Sequence, residues 1–524
     1  MQQMILAVML MSNWLRLAHA APILMDFLHN SNGPSAAVPM KFPGSDDRRL
    51  LMVDTGSSMI GICSEHTVYQ SEATLWKAPG GYLGAHLNTY GGGSMWAGWL
   101  HEGNAIIGAE TLDVVYSPMY LEKDVSPLCN NSLGGNGEMQ LGWDGIIGVA
   151  FLGAGASFFA ADSTAYPSKI SDTVCMQNFD CTGCYYKNYS TCKASYLESR
   201  GWPSLGTPDP ESVSGGFPPI SQYYVYPIGP PALDAFSQKG FAQFALFADT
   251  KKIFAEGRSL DGQFYLARAG EMYLGTEATS ATNSRWSKST PITTKLAFMN
   301  MSNWSIPAKL PTIAQYWTLP IASVEVGSKT FKDAQEFNCF DGAVDTYATN
   351  AGETYQAIQQ TSMCYVDSGT PYIGLPPAVF AAVNAGAATD ILKINLKQWD
   401  SKTGDAITTI DFPLGDLQKL MAWGWVVETQ SGSGEVLILG YTSLLFYYIV
   451  FFFGDLPDWA STGPLDVAWR WKCLKDQRIN GAEMSFVRQF EQSIGVPEMP
   501  ASSARTSLGL QLAVAFSVLV AAGW

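Results

Sequence analysis

Short apolar runs, each broken by a glycine-containing polar turn, set the pattern of this chain. Leu50-Leu51-Met52-Val53 leads into Asp54-Thr55-Gly56-Ser57, and Met59-Ile60 follows. Far downstream, Met363-Cys364-Tyr365-Val366 leads into Asp367-Ser368-Gly369-Thr370, and Tyr372-Ile373 follows. Runs of this length, bounded by turn residues, predict strands that end in tight loops. Abundant Gly, Tyr, Phe and Trp with modest charge extend that expectation to the whole chain, a mostly β protein rich in turns. Between about 153 and 231 the pattern loosens into Pro/Gly-rich stretches such as Gly215-Gly216-Phe217-Pro218-Pro219. The apolar run Val436 to Phe453 is long enough for a membrane span, but Gly440, Thr442, Ser443 and two tyrosines argue against one.

The two tetrads share one form: Asp, hydroxyl residue, Gly, hydroxyl residue. A tetrad of that kind arises by chance about once in ten thousand positions, so a matched pair, one per half, points to a duplicated unit. Glycine lets the backbone of such a turn approach a facing loop closely, and the hydroxyls can donate hydrogen bonds to a carboxylate. Two such loops face to face would hold two carboxyl groups that cannot both ionise, share a proton and titrate as a unit. One carboxylate could then take a proton from water while its partner protonates a carbonyl oxygen.

With these tetrads the chain resembles the pepsin-like aspartic proteases, from about Val38 to about Phe453. Thr89-Tyr90-Gly91-Gly92-Gly93-Ser94-Met95 resembles the family's flap hairpin. Asp144-Gly145-Ile146-Ile147-Gly148 and Val436-Leu437-Ile438-Leu439-Gly440 resemble the segments that thread behind each catalytic loop, and the resemblance makes Val436 to Phe453 a buried strand, a turn and another strand. Phe244-Ala245-Leu246 and Gly270 to Gly275 resemble the strands that close the first lobe and open the second, and Gln315-Tyr316-Trp317 resembles a strand early in the second lobe. The resemblance implies a mostly β, bilobal fold with the active cleft between two related lobes. It implies catalytic roles for Asp54 and Asp367 and hydrogen bonds from Ser57 and Thr370 to the carboxylates. Thr55 and Ser368 would tie the loops together, with Gly56 and Gly369 at the turns, and Tyr90 with Gly91 would close over the substrate. Two departures stand out: Met59-Ile60-Gly61-Ile62 lacks the family's Trp, leaving Trp96 or Trp99 to compensate, and Tyr441 stands where Asp usually follows the second Gly segment.

A net charge of −15 and the lack of a basic patch argue against nucleic acid as a partner. The same charge fits either work at acid pH or simple solubility. Of nine cysteines, Cys63 and Cys129 fall in the first half, Cys175, Cys181, Cys184 and Cys192 cluster in the loosened stretch, and Cys339, Cys364 and Cys473 fall in the second half. The C-x-x-C within the cluster admits zinc, but an exported chain favours disulfides. Asn130, Asn188, Asn300 and Asn303 open glycosylation sequons. The five histidines show no metal-ligand spacing, so no cofactor or catalytic metal is expected.

The apolar run Met4 to Met11, followed by Ala18-His19-Ala20, reads as a signal peptide; a first strand or helix is the other reading. The stretch from Ala21 to Asp54 is shorter than the pro-segment of resembling zymogens, so self-activation is not expected. Leu508 to Trp524 is apolar and preceded by Ala501-Ser502-Ser503-Ala504, which fits a GPI-attachment signal, a marginal membrane helix or an amphipathic tail.

The expected organisation is a signal peptide over 1–20, an N-terminal lobe over 21–245 carrying a Cys-rich insertion at about 153–231, a C-terminal lobe over 246–497 and a tail over 498–524. The expected function is peptide-bond hydrolysis on a peptide or protein substrate by a monomer in the secretory pathway, the cell surface or an acidic lumen, anchored to a membrane through its tail. A catalytically inactive, membrane-anchored peptide-binding or adhesion protein on the same fold is the alternative.

Overall fold

The computed structural model describes residues 21–30, 33–42, 48–63, 74–75, 77–78, 82–89, 95–119, 121–123, 129, 142–150, 156–160, 223–226, 232–256, 264–296, 298–299, 317–332, 344–348, 354–360, 364–397, 407–429, 436–453 and 482–498. Residues 1–20, Tyr90 and Gly91, the cysteine cluster 175–192, the four sequon asparagines and the tail from 499 lie outside the described residues.

The described chain is mostly β, with a few short helices such as Pro377–Ala385 and Leu414–Ala422. Side-chain alternation explains the surface strands. In Ile391–Lys397, Leu392, Ile394 and Leu396 are buried while Ile391 and Lys393 face solvent. That period of two lets the strand lay one face on the core and pair with Ile407–Pro413, whose Ile410 and Phe412 point the same way. Runs without alternation, Gly145–Gly148 and Leu437–Gly440, are buried on both faces and lie between neighbours.

One strand arrangement occurs twice. Arg48–Asp54 runs parallel to Gly145–Gly148, with Asp54 opposite Gly148, and Gly145–Gly148 runs antiparallel to Ile60–Cys63. Likewise Cys364–Asp367 runs parallel to Leu437–Gly440, with Asp367 opposite Gly440, and that strand runs antiparallel to Ile373–Leu375. Each outer strand gains a parallel neighbour: Glu110–Met119 beside Ile60–Cys63, and Val426–Glu428 beside Ile373–Leu375. The middle strand in each set therefore separates the strand entering an Asp loop from the strand leaving it, which holds that loop open at the sheet's end.

The first set lies within a thirteen-stranded sheet that also takes in Ile23–Asn30, Gln243–Ala248, Tyr447–Phe452 and Glu483–Arg488, while the second lies in a separate five-stranded sheet. Around both lies one continuous apolar core with residues from both halves. Phe244 stacks on Phe451 at 4.8 Å between ring centres, and Trp317 meets Phe451 edge-on at 4.9 Å while its indole N–H donates to the Val149 carbonyl at 3.0 Å. The run from Val436 takes the form expected of it: strand Leu437–Gly440, a 3-10 turn over Tyr441–Leu445 and strand Tyr447–Phe452. Among the described residues no helix is long and apolar enough to cross a membrane. Cys63 and Cys129 form a disulfide, and Cys364 is also disulfide-bonded.

Candidate active site

Each Asp closes a strand whose last residues are buried, so its carboxyl group emerges where apolar packing stops. Asp54 follows buried Val53 and is itself 4% exposed, whereas Asp367 follows buried Val366 and is partly exposed. Backbone hydrogen bonds from the middle strands fix both loops. Gly148 N–H donates to the Met59 carbonyl at 2.9 Å and Gly440 N–H to the Tyr372 carbonyl at 3.1 Å. Met59 and Tyr372 are the fifth residues after their respective Asp, so the two loops are held at equivalent points.

The loops interlock through their second residues. Thr55 N–H donates to Ser368 Oγ at 3.1 Å, and Ser368 N–H donates to Thr55 Oγ1 at 2.8 Å. The Thr55 hydroxyl in turn donates to the Val366 carbonyl at 3.0 Å, and the Ser368 hydroxyl to the Val53 carbonyl at 2.8 Å. Each hydroxyl thus both accepts from and donates to the backbone of the opposite segment, and all four groups are satisfied without water although both side chains are buried.

This interlock brings each carboxyl against the opposite turn. A Cβ placed on Gly56 would lie 2.6 Å from Asp367 Oδ1, and a Cβ on Gly369 would strike the Asp54 carboxyl. Only glycine leaves room for that approach. Gly56 N–H donates to Asp54 Oδ1 at 2.7 Å, and Gly369 N–H to Asp367 Oδ1 at 3.0 Å. The second hydroxyls differ. Thr370 Oγ1 donates to Asp367 Oδ2 at 2.7 Å. Ser57 lies near enough to Asp54 to favour its charged form, yet its buried Oγ makes no hydrogen bond of good geometry among the described residues.

Burial is the main cause that raises the Asp54 carboxyl well above the ordinary carboxylate range. The like charge of Asp367 beside it pushes it further. Asp54 is therefore held toward its protonated form. Chemically, the pair offers a proton donor and a proton acceptor in one recess.

Tyr372 was not marked by its residue type in the sequence, yet burial and the nearby Asp367 charge raise its pKa, so it stays a protonated hydroxyl beside the pair. The only signal for it was its place as the fifth residue after Asp367, where the first loop has Met59. Tyr90 and Gly91 lie outside the described residues, but strands Tyr82–Thr89 and Met95–Trp99 pair antiparallel on either side of them, with Thr89 opposite Met95. Tyr441 is buried, its hydroxyl makes no hydrogen bond among the described residues, and its N–H donates to the Thr370 carbonyl at 2.7 Å. Its place in the second Gly segment is thus used to brace the Asp367 loop through the backbone. Among the described residues no group of three or more His, Cys, Asp and Glu side chains is placed to hold a metal ion.

No protein-family model matches this chain, and no curated protein matches its sequence.

Proposed function

We propose that this chain is an aspartic endopeptidase with a bilobal, pepsin-like fold, hydrolysing peptide bonds with water activated between Asp54 and Asp367. The observation that carries the reading is the reciprocal contact of each carboxyl with the opposite loop's glycine, held by the Thr55–Ser368 exchange. An isolated Asp-Gly turn needs no such partner.

In the proposed reaction the Asp367 carboxylate takes a proton from water as the water oxygen bonds to the scissile carbonyl carbon. Asp54 gives its proton to the carbonyl oxygen, so a neutral tetrahedral diol forms. Asp367 then passes its proton to the amide nitrogen as the C–N bond breaks, and Asp54 recovers a proton from a diol hydroxyl as the new carboxyl group forms. Thr370 and the two turn N–H groups hold the carboxyls in line, and Tyr90 on the hairpin would shield the site from bulk water. No cofactor is required by this route. The substrate is an extended peptide or protein segment bound partly through its backbone. Export, surface or acidic-lumen residence and anchoring through the tail belong to the same proposal, supported by the buried Cys63–Cys129 disulfide.

The test is a mixed peptide library incubated with purified protein from acid to neutral pH, alongside binding of an uncleavable peptide mimic. Cleavage favoured at acid pH is the expected result. Binding of the mimic by a folded protein that cleaves nothing would overturn the peptidase reading and select the adhesion or peptide-binding alternative.

A further inference from the structure

The hairpin Tyr82–Thr89/Met95–Trp99 packs against the strand that leaves the Asp54 loop. Strand Met95–Trp99 belongs to a six-stranded sheet, separate in its pairing from the thirteen-stranded sheet that holds Ile60–Cys63 and Glu110–Met119. The two sheets come close at Gly98 and at Gly61. At Gly98 a Cβ would strike the Pro118 carbonyl oxygen, so backbone passes directly over backbone. At Gly61 a Cβ would lie 2.9 Å and 3.0 Å from Trp96 Cζ2 and Cη2, and 2.5 Å from Met119 Cε. Trp96 is fully buried, packed in a cluster with Met59, Cys63, Leu100, Met119, Cys129 and Ile146. Met59 lies in the Asp54 loop, and the Cys63–Cys129 bond closes the cluster's far side.

We propose that Trp96 is a positioning residue whose ring, received by the recess at Gly61, sets the hairpin Tyr82–Thr89/Met95–Trp99 against the strand that leaves the Asp54 loop. The bulk at this contact comes from the hairpin and the space from the loop strand. A ring of this size, gripped on all sides and without exposure, has one rotamer and one depth. It therefore transmits a fixed distance from the loop to the hairpin. The proposal rests on the peptidase reading for its kinetic consequence, while the seat itself is a statement about the hairpin.

The test is a double-mutant cycle on the full chain with Gly61→Ala and Trp96→Phe, reading kcat and KM separately and amide hydrogen exchange over 82–89 and 95–99. A methyl at 61 strikes two indole carbons that a phenylalanine ring lacks, while Met119 is flexible enough to yield. Gly61→Ala is expected to lower kcat/KM by about tenfold through misplaced geometry. Trp96→Phe is expected to lower it by about fivefold, and the double variant to return to within about twofold of Trp96→Phe rather than to the product of the two losses. The pH dependence of kcat/KM keeps its wild-type shape in all three, and exchange over the hairpin quickens in Gly61→Ala and recovers in the double variant.

Multiplying losses would overturn the proposal. So would wild-type kinetics in folded single variants whose melting temperatures alone are coupled, since Trp96 would then be core packing only. If the wild type shows no turnover, the peptidase reading fails and hydrogen exchange decides the seat: coupled protection upholds it, and independent protection overturns it.

Discussion

Asp54 and His101 are both buried titratable residues, and they respond to acid in opposite ways. Asp54 has a raised folded-state pKa, with burial first and Asp367 second among the causes. Above the ordinary value of 3.8 the unfolded chain has lost a proton that the folded protein still holds. Stability from this group is therefore full below that value and is lost as pH rises through the folded pKa. Asp54→Asn, neutral at every pH, is expected to melt at a temperature that falls less between acid and neutral pH than that of the wild type. Thermal melts at both ends of that range check it. His101 is 6% exposed, stacks on Tyr116 at 5.8 Å and offers neither ring nitrogen a hydrogen-bond partner among the described residues. Burial pushes its pKa down from 6.5 to about 4. Here the unfolded chain gains a proton first, so stability falls as pH drops through that window, by on the order of 3 kcal/mol in total. His101→Leu is expected to remove this loss and to raise the acid-side melting temperature relative to wild type. An unchanged acid limb would contradict the burial argument.

At the scale of elements, the loops depend on a cross-brace and the first strand set on a disulfide. Thr55→Val keeps the shape of the side chain but deletes the hydroxyl that accepts from Ser368 and donates to Val366. The buried Ser368 N–H is then left without its partner, a loss of about 1–3 kcal/mol. Chemical denaturation reads that loss, and a parallel drop in turnover is expected because the carboxyl spacing depends on the brace. Loss of Cys63–Cys129, whose residues are 66 apart in sequence, removes about 4 kcal/mol by the loop-entropy argument. Denaturation of Cys63→Ser/Cys129→Ser checks this. The paired tetrads, the apolar strands before them and the strand–turn–strand of Val436 to Phe453 were legible because local residue order determines them. Several other features were not: the Cys63 partner, the Ser57–Thr370 asymmetry, Tyr372 beside Asp367, and Trp96 over Gly61. Each arises from contacts between residues distant in sequence or from fine side-chain orientation, which apolar patterning does not encode. Gly61 did carry a signal, as the place where a large residue was expected and was missing.

At the scale of the molecule, two copies of one strand arrangement, each in its own sheet, meet through one apolar core, and the carboxyl pair sits where their loops cross. That arrangement makes the site a joint product of two regions more than three hundred residues apart, with Thr55 and Ser368 separated by 313 positions. Neither half alone supplies a donor and an acceptor. On the proposed peptidase reading both carboxyls are needed, and their removal is expected to abolish turnover without unfolding the chain. The most direct measurement is kcat/KM against pH on one defined peptide for wild type, Asp54→Asn and Asp367→Asn, each shown folded by its far-UV spectrum and melt. The account predicts a bell-shaped wild-type profile and a loss of at least about a thousandfold in both variants at every pH. A folded Asn variant that retains wild-type turnover would contradict the shared-proton pair.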